Sequence, residues 1–197
     1  MSKRVVIVGS GNAALCAGIA ALEGGASVLM LEKADEALAG GNTKYTAGAM
    51  RFCYDGADDL LPLLKDPNDP RLAKTDFGGY TTEKFSEDLL MFNGGRPLSP
   101  EQKRLIGESL SAMQWLGSKG VKFEPIYSRQ SFEKDGRHVF WGGLTLAAEN
   151  KGVGLFDMEL ATFQQMGGDI RFEAGVTGLM TEGGRVTGVF VGTEEIP

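Results

Sequence analysis

The chain contains 197 residues, of which 42% are hydrophobic, and its formal net charge at pH 7 is −6. This composition indicates a globular protein with one sizeable core or two small ones, and it argues against nucleic acid, which is bound mainly through Lys and Arg. No apolar run approaches the roughly 20 residues of a membrane helix, and because Met1 leads almost directly into an apolar strand we expect no secretory leader. Two cysteines, Cys16 and Cys53, make neither a disulfide framework nor a metal site, so we expect a cytoplasmic protein.

The N-terminal segment has the pattern of a βαβ unit. The β-branched run Arg4–Val8 predicts a buried parallel strand, and the alanine-rich stretch 12–23 predicts a helix that ends at Gly24-Gly25. Residues 26–31 predict a second buried strand, which ends at Glu32. The whole has about the 30 residues expected of such a unit.

The rest of the sequence predicts an irregular segment, then mainly helices, and a strand-rich end. Residues 39–50 are rich in glycine and small side chains, and residues 55–76 are rich in Asp and Pro, which indicates an irregular excursion. Helices are predicted over 82–92, over 99–118 with a capping box at Ser99 and Pro100 at its first position, and over 155–166. Their inward stripes are predicted to be Phe85, Leu89 and Phe92; Ile106, Leu110 and Met113; and Phe156, Leu160 and Phe163. Strands are predicted over 120–125, 170–173, 176–181 and 185–192, the last two joined by a Gly183-Gly184 hairpin turn.

The first glycine corner has the spacing of a dinucleotide site. It reads Gly9-Ser10-Gly11-Asn12-Ala13-Ala14, a G-x-G-x-x-A pattern between the first strand and the first helix. In this pattern Gly9 permits the tight turn, Gly11 leaves room for a pyrophosphate and Ala14 allows close packing of helix on sheet. The helix N-terminus supplies unpaired N–H groups and the positive end of the dipole.

Glu32 completes this pattern. It follows Gly9 by 23 residues, at the end of the second strand. A carboxylate there accepts the hydroxyls of an adenosine ribose and repels a 2′-phosphate. The combination predicts a dinucleotide site that disfavours NADP and, at this point, leaves the choice between NAD and FAD open. A Gly-rich turn of an ordinary α/β protein is the alternative for the glycine corner taken alone.

Two spaced segments carry a resemblance to a family. "VVIVGSGNAALCAGIAALEGGASVLMLEK" and "GGNTKYTAGAMRF", together with "FWGGL", "WLGSKGVKF" and "GRVTGVFVG", resemble the fumarate reductase/succinate dehydrogenase flavoprotein superfamily, and within it the FAD-dependent tricarballylate dehydrogenases. The resemblance implies an α/β fold with a Rossmann-like FAD-binding domain, in which a βαβ-led parallel sheet is joined by a β-meander. It also implies residues 54–143 as a mainly helical and irregular insertion.

The resemblance implies the cofactor contacts residue by residue. Gly9, Gly11 and Ala14 frame the FAD pyrophosphate, together with Ser10, Asn12 and Ala13 of the same corner. Glu32 binds the adenosine ribose with Lys33 beside it, and the backbone near Val176 passes the adenine. The ribityl chain and isoalloxazine are lined by Gly41, Asn42, Thr43, Ala47 and Gly48. In the respiratory enzymes a His of this loop carries a covalent flavin bond; Asn42 stands at that position here, which implies non-covalent FAD.

The implied activity is dehydrogenation of a small polycarboxylate such as tricarballylate. Hydride transfer to flavin N5 gives a C=C bond, and electrons pass to an acceptor protein that is membrane-associated in relatives. The resemblance implies that the family's capping domain, its C-terminal closing segment and its catalytic residues belong to parts of the longer family chains that these 197 residues do not match, so the catalytic residues are unknown and the 197 residues alone are expected to be inactive. The alternatives are a fumarate reductase, a ketosteroid dehydrogenase-like flavoenzyme, or a flavin- or nucleotide-binding fragment without catalysis.

Several other residues invite a functional interpretation, and we favour a structural one for each. His138, the only histidine, is interpreted as a partly packed residue near a turn, and Arg51 as a member of an ion pair rather than a substrate ligand. Trp115 and Trp141 are interpreted as core residues. Cys53 is interpreted as a small packed residue, and the acidic residues of 58–76 as a solvated loop rather than a metal site.

Overall fold

The computed structural model describes residues 4–197 and divides into two compact units. The first unit comprises the residues up to Thr46 together with Val153–Pro197, and the second comprises Ala47–Gly152. The helices are α1 (Asn12–Glu23), α2 (Ala57–Leu60), α3 (Thr82–Phe92), α4 (Pro100–Ser118), α5 (Tyr127–Gln130) and α6 (Lys151–Gln165), with 3₁₀ turns at Gly41–Tyr45, Leu61–Leu63 and Leu72–Lys74.

Eleven strands accompany the helices in the described part of the chain. They are β1 (Arg4–Val8), β2 (Ser27–Leu31), β3 (Thr75–Asp76), β4 (Phe123–Pro125), β5 (Ser131–Lys134), β6 (Arg137–Phe140), β7 (Leu146–Ala148), β8 (Asp169–Arg171), β9 (Val176–Glu182), β10 (Arg185–Val191) and β11 (Glu194–Ile196). The α/β class and the parallel βαβ beginning of the chain are confirmed, with the predicted bounds of β1 and α1 reproduced.

The first unit is built on a parallel sheet of order β1-β2-β8 and an antiparallel meander of order β11-β10-β9. The two sheets share a core in which Leu31, Ala174, Val189 and Ile196 are buried. The predicted hairpin between β9 and β10 is confirmed, because Gly183 and Gly184 both have positive φ, as a type I′ turn requires. The parallel pairing of β1 with β2 places the carboxyl ends of these two strands side by side.

Strand β1 is less buried than the sequence predicted. Its side chains are half-buried or exposed, and Val8 is 56% exposed. The physical reason is its position in the sheet: within residues 4–197 it has a neighbour on one side only, strand β2. The β-branched run therefore predicted the strand correctly, but the prediction that this strand is buried was wrong.

Helix α1 packs on α6 through glycine. A Cβ at Gly18 would lie 2.7 Å from the ring of Phe163, which is itself fully buried. The absence of a side chain at Gly18 lets the ring approach the helix backbone. The predicted inward residues of α6 are confirmed for Phe156 and Phe163, whereas Leu160 is only half-buried and Glu159 is buried.

The second unit combines helices with short strands. Strand β4 pairs antiparallel with β7, and β6 lies between β3 and β5 in a separate sheet. The capping box of α4 is confirmed: the Ser99 hydroxyl accepts from the Gln102 N–H, and the Gln102 side chain accepts from the Ser99 N–H. Ile106 and Met113 of its predicted stripe are buried and Leu110 is half-buried.

Two aromatic residues of this unit correct the predictions. Phe92, placed on the inward face of α3 by its spacing, is 85% exposed, since it is the last residue of the helix and the buried contacts of that helix lie at Phe85. Trp141, interpreted as core, is 68% exposed and stacks on Phe132 at a ring distance of 4.6 Å.

Cys53 is a buried packed residue, as predicted. No helix among residues 4–197 is long and apolar enough to cross a membrane.

Candidate functional site

The glycine corner between β1 and α1 has the geometry that its sequence predicts. Gly9 has a φ of +91°, a conformation that L side chains rarely adopt, and its N–H donates to the carbonyl of Leu31 at 2.8 Å. Gly11 is the N-cap of α1, and its carbonyl accepts from the N–H groups of Ala14 and Leu15. The chain thus turns sharply out of the strand and starts a regular helix at once.

Two N–H groups at the start of α1 are available to a ligand. The Asn12 N–H donates to the Thr43 hydroxyl at 2.9 Å. The N–H groups of Gly11 and Ala13 have no acceptor in the part of the chain that the structure describes. Because the helix dipole adds a positive potential at the same point, this end of α1 is suited to an anionic group such as a diphosphate.

Glu32, at the end of β2, is a buried carboxylate in a network of hydrogen bonds. It is 5% exposed; its Oε2 accepts from the Ser10 hydroxyl at 2.5 Å and its Oε1 from the Ala34 N–H at 2.9 Å. Burial raises the pKa of this carboxyl, but the hydrogen bonds from Ser10, Ala34 and Lys33 outweigh burial and hold the pKa below its usual value. Glu32 is therefore ionised at neutral pH, and a carboxylate can accept more than these bonds.

A cleft of about 300 Å³ joins these groups within the first unit. Its walls combine backbone at the glycine corner, the Glu32 carboxylate and apolar side chains. The lining residues are Val8, Gly9, Ser10, Gly11, Leu31, Glu32, Lys33, Gly41, Gly175 and Val176. The arrangement offers N–H donors for a phosphate, an acceptor for sugar hydroxyls and an apolar surface for a base.

The predicted residues of the second glycine loop lie in different environments. Gly41 lines the cleft with a φ of +52°, and the Thr43 hydroxyl is bonded to the Asn12 N–H. Asn42 and Ala47 are exposed. Gly48 is buried with a φ of +67°, and a Cβ there would lie 2.6 Å from the Lys151 carbonyl carbon, so the close approach of backbone alone accounts for this glycine.

Three residues of the cleft were not among the predicted site residues. Val8 and Leu31 are the last residues of β1 and β2, and the end of a parallel strand is the usual place for a ligand, so their position was a usable signal. Gly175 precedes Val176, and a Cβ there would lie 3.5 Å from Cβ of Lys33. Nothing in the local sequence distinguishes Gly175 from other glycines.

The remaining candidates in the second unit have structural partners. Arg51 pairs with Asp88 at 3.3 Å and donates to the Tyr80 hydroxyl at 2.8 Å, so the interpretation as an ion pair is confirmed. His138 is half-buried on β6 and stacks on Tyr127 at a ring distance of 4.8 Å. Among residues 4–197 no group of three or more His, Cys, Asp or Glu side chains is placed to hold a metal ion.

Comparisons with known proteins agree with this geometry. A model of the family described as "FAD binding domain" matches residues 4–195. The NADH:acrylate oxidoreductase of Vibrio harveyi is 24% identical over 94% of this chain and 22% of its own length. The NADH:fumarate oxidoreductase of Klebsiella pneumoniae is 26% identical over 97% of this chain and 18% of its own length.

The solved structures show the same fold. The 3-ketosteroid-Δ4-(5α)-dehydrogenase of Rhodococcus jostii RHA1 aligns with a TM-score of 0.67 at 19% identity, covering 98% of this chain and 43% of that structure. The chain spans about a fifth of the length of the two oxidoreductases named above. Its described residues thus correspond to a part of such proteins.

Proposed function

The chain belongs to the FAD-binding domain family of fumarate reductase- and succinate dehydrogenase-like flavoproteins, and on that premise we propose that it binds the adenosine diphosphate half of FAD in the cleft at the carboxyl ends of β1 and β2. The observation that carries this proposal is that one cleft is lined by Gly11, whose N–H has no acceptor among the described residues, by the ionised Glu32 and by the apolar residue Val176. A nucleoside diphosphate needs three kinds of contact: donors for its phosphates, an acceptor for its ribose hydroxyls and an apolar surface for its base.

Each part of the cleft has a distinct role in this proposal. The N–H groups of Gly11 and Ala13 donate to the diphosphate oxygens, and Glu32 accepts the ribose hydroxyls. The adenine packs on the part of the cleft lined by Val176, with Lys33 at the rim. Bound FAD supplies a flavin ring that accepts or returns a hydride, which is chemistry that no side chain provides. The contribution of these residues is to hold the adenosine diphosphate half of FAD, to which the flavin half is attached.

We propose that the whole protein is an oxidoreductase acting on a small polycarboxylate, tricarballylate being the substrate suggested by the sequence resemblance. The two relatives named above carry the names of acrylate and fumarate, and both compounds have a C=C bond beside a carboxylate. Formation or reduction of such a bond is the reaction class that these names and the resemblance share. A fumarate reductase or a ketosteroid dehydrogenase-like enzyme remains the alternative, as does a nucleotide-binding module without catalysis.

The electron partner and the location are also proposals. The resemblance suggests a membrane-associated acceptor protein, whereas the names of the two oxidoreductases suggest NADH as the electron donor. Cys16 and Cys53 are both free thiols, which supports a reducing cytoplasm.

Turnover measurements separate these possibilities. The full-length protein is assayed with tricarballylate and with succinate in the presence of an artificial electron acceptor, and with fumarate and with acrylate in the presence of NADH or reduced dye. We expect turnover in one direction with a carboxylate substrate and none after removal of the flavin. Flavin binding without turnover on any of the four substrates contradicts the assignment to carboxylate chemistry. A protein that binds neither FAD nor ADP contradicts the cleft assignment.

A further inference from the structure

Two hydroxyl side chains join the glycine corner to the 3₁₀ turn Gly41–Tyr45, and we name Ser10 and Thr43 the hydroxyl pair. The Ser10 hydroxyl accepts from the Gly40 N–H at 3.0 Å. In the opposite sense, the Thr43 hydroxyl accepts from the Asn12 N–H at 2.9 Å. Each segment therefore supplies one side chain and one backbone N–H to the other.

The direction of the Ser10 hydrogen bonds is fixed by its partners. Ser10 is 1% exposed, so its hydroxyl has no access to bulk solvent. The Gly40 N–H can only donate and the ionised Glu32 can only accept, so the single hydroxyl proton goes to Glu32 Oε2 at 2.5 Å. The two hydrogen bonds, from the Gly40 N–H to the Ser10 hydroxyl and from that hydroxyl to Glu32, run in the same direction, so each bond strengthens the other.

The backbone at Gly40 has little freedom to move away. Gly40 has a φ of +106°, and a Cβ there would lie 2.9 Å from the ring of Phe156. The next residue, Gly41, lines the cleft and starts the turn that carries Thr43. The N–H bonded to Ser10 is thus attached to a segment that forms one wall of the candidate site.

We propose that Ser10 is a positioning residue for adenosine recognition: its hydroxyl orients the Glu32 carboxylate toward the ribose and holds the Gly40–Thr43 wall of the cleft in place before a ligand binds. The inference rests on the proposed function, since it concerns the same cleft. Ser10 does not itself contact the ribose, because both of its hydroxyl hydrogen bonds go to protein groups. Thr43 acts on the phosphate side, where it occupies the Asn12 N–H and leaves those of Gly11 and Ala13 to the ligand.

The pH dependence of binding distinguishes positioning from packing. Around Glu32 the hydrogen bonds of Ser10, Ala34 and Lys33 lower the pKa against the effect of burial. Of the charged groups nearby, Lys33 is exposed at the rim and Arg171, whose carbonyl accepts the Glu32 N–H, is paired with Glu194. Without the Ser10 hydroxyl, fewer hydrogen bonds oppose the effect of burial, and the pKa of Glu32 rises.

The experiment compares two ligands that differ in one hydroxyl. Calorimetric titration of the purified protein with ADP and with 2′-deoxy-ADP at pH 7 should show wild type preferring ADP by roughly tenfold or more, as expected for a hydrogen bond to a charged group. We expect Ser10→Ala to bring this ratio close to one. We also expect the ratio of wild-type to Ser10→Ala affinity for ADP to grow as the pH is lowered from 7 to 5, and this ratio cancels the protonation of the ADP phosphate, which is the same for both proteins.

The controls separate the proposal from a general loss of structure. Ser111→Ala removes an exposed hydroxyl of α4 and should leave both ligands unaffected. Ser10→Cys keeps the shape with a weaker donor, so it should give an intermediate ratio even if the alanine variant is unstable. Thr43→Val should weaken ADP and 2′-deoxy-ADP equally, without a pH effect. In a Glu32→Gln background the Ser10→Ala change should no longer affect the ratio.

The outcomes are distinct. If Ser10→Ala and Ser10→Cys weaken the binding of both ligands equally, and the ratio of wild-type to variant affinity for ADP does not change with pH, Ser10 only packs and the inference is wrong. If wild type binds ADP without preference over 2′-deoxy-ADP, Glu32 does not read the ribose and the inference is also wrong. If wild type binds neither nucleotide nor FAD, the proposed function itself fails.

Discussion

Glu159 is a carboxyl group buried between two helices. It lies on α6, is 1% exposed, and its Oε2 has no hydrogen-bond partner in the described structure. Its Oε1 accepts from the Cys16 thiol of α1 at 3.5 Å, and that thiol also lies 3.4 Å from Oδ1 of Asn12. Burial raises the pKa of Glu159 to about 8, and the Cys16 hydrogen bond opposes this rise only in part. The side chain is therefore protonated in the folded protein at neutral pH.

This burial predicts a pH-dependent stability with a definite sign. The folded state holds its proton up to about pH 8, whereas the unfolded chain releases it near the ordinary value of 4.5. The contribution of Glu159 is fully present below about pH 4.5 and is lost as the pH rises towards 8, by up to about 1.4 kcal/mol per pH unit. Glu159→Gln, which cannot ionise, should lack this loss.

Urea denaturation of both proteins at pH 5, 6, 7 and 8 measures the difference. We expect the free energy of unfolding of Glu159→Gln, relative to wild type, to increase steadily with pH over this range. Taking the difference cancels the other titrating groups, which both proteins share. Parallel profiles for the two proteins contradict the assignment of a raised pKa.

Helix α4 offers a comparison of two glycines in one element. A Cβ at Gly107 meets no atom within 4 Å, and the residue is exposed in the helix interior. Gly107→Ala should therefore increase the free energy of unfolding by about 0.5–1 kcal/mol, because alanine restricts the unfolded chain and favours the helix. Urea denaturation with an unchanged m-value is the measurement.

Gly117 is the matched control in the same helix. A Cβ there would lie 3.1 Å from Cδ2 of Leu63, so Leu63 must shift to accept it. The gain in helix preference is offset by this contact, and Gly117→Ala should be less stabilising than Gly107→Ala or destabilising. Equal stabilisation by both substitutions would show that packing against Leu63 has no influence.

The elements whose sequence patterns are local were predicted well. The bounds of α3 and the capping box of α4 were predicted correctly, since caps and periodicity depend on residues within one helix. The start of α6 was placed at Leu155 instead of Lys151, because Gly152 and Gly154 weaken the helical pattern of its first turn. The hairpin β5–β6 was missed although Asp135-Gly136, both with positive φ, is a strong turn signal.

Features that depend on a distant partner were not accessible to the sequence. Spacing puts Phe92 on one side of α3, but whether another element covers that side is decided by the rest of the fold. Likewise the sequence placed Ser10 and Thr43 in two loops 33 residues apart, and only the structure shows that both are bonded across the same cleft. The site could be predicted to the level of the loops, and its hydrogen-bond network could not.

At the scale of the whole molecule, the cleft is suited to only part of the cofactor. It holds about 300 Å³ and its contacts belong to the first unit, with donors for a diphosphate and an acceptor for one ribose. The 197-residue polypeptide should therefore bind ADP and FAD with affinities within about tenfold of each other, and FMN much more weakly. We expect no dehydrogenase turnover from it alone, because the chain spans about a fifth of the length of the oxidoreductases it resembles.

Titration with the three ligands under one set of conditions tests this expectation. Glu32→Gln is the appropriate control, since it should weaken ADP and FAD together and leave FMN unaffected. FMN binding as tight as that of FAD would place the main contacts on the flavin half. A turnover rate from residues 1–197 comparable to that of the full-length protein would place the catalytic groups within this chain.

The flavin of the whole protein should be released intact on denaturation. Asn42 occupies the position at which the resemblance implies a flavin-linking His in the respiratory enzymes, and it is exposed in the turn Gly41–Tyr45. An amide nitrogen is a poor nucleophile because its lone pair is delocalised, so Asn42 can hydrogen-bond but not form the bond. Cys53 is buried, with its thiol directed to the carbonyl of Ile106, and burial raises its pKa.

Acid precipitation of the holoprotein should leave yellow flavin in the supernatant, and the intact mass of the polypeptide should equal that of its sequence. A mass increase equal to FAD would contradict this expectation and would require a nucleophile near the loop. Tyr45, 79% exposed in the same turn, is then the first residue to examine. Loss of the added mass in Tyr45→Phe would identify its phenol oxygen as the point of attachment, because phenylalanine keeps the ring and lacks only the nucleophilic atom.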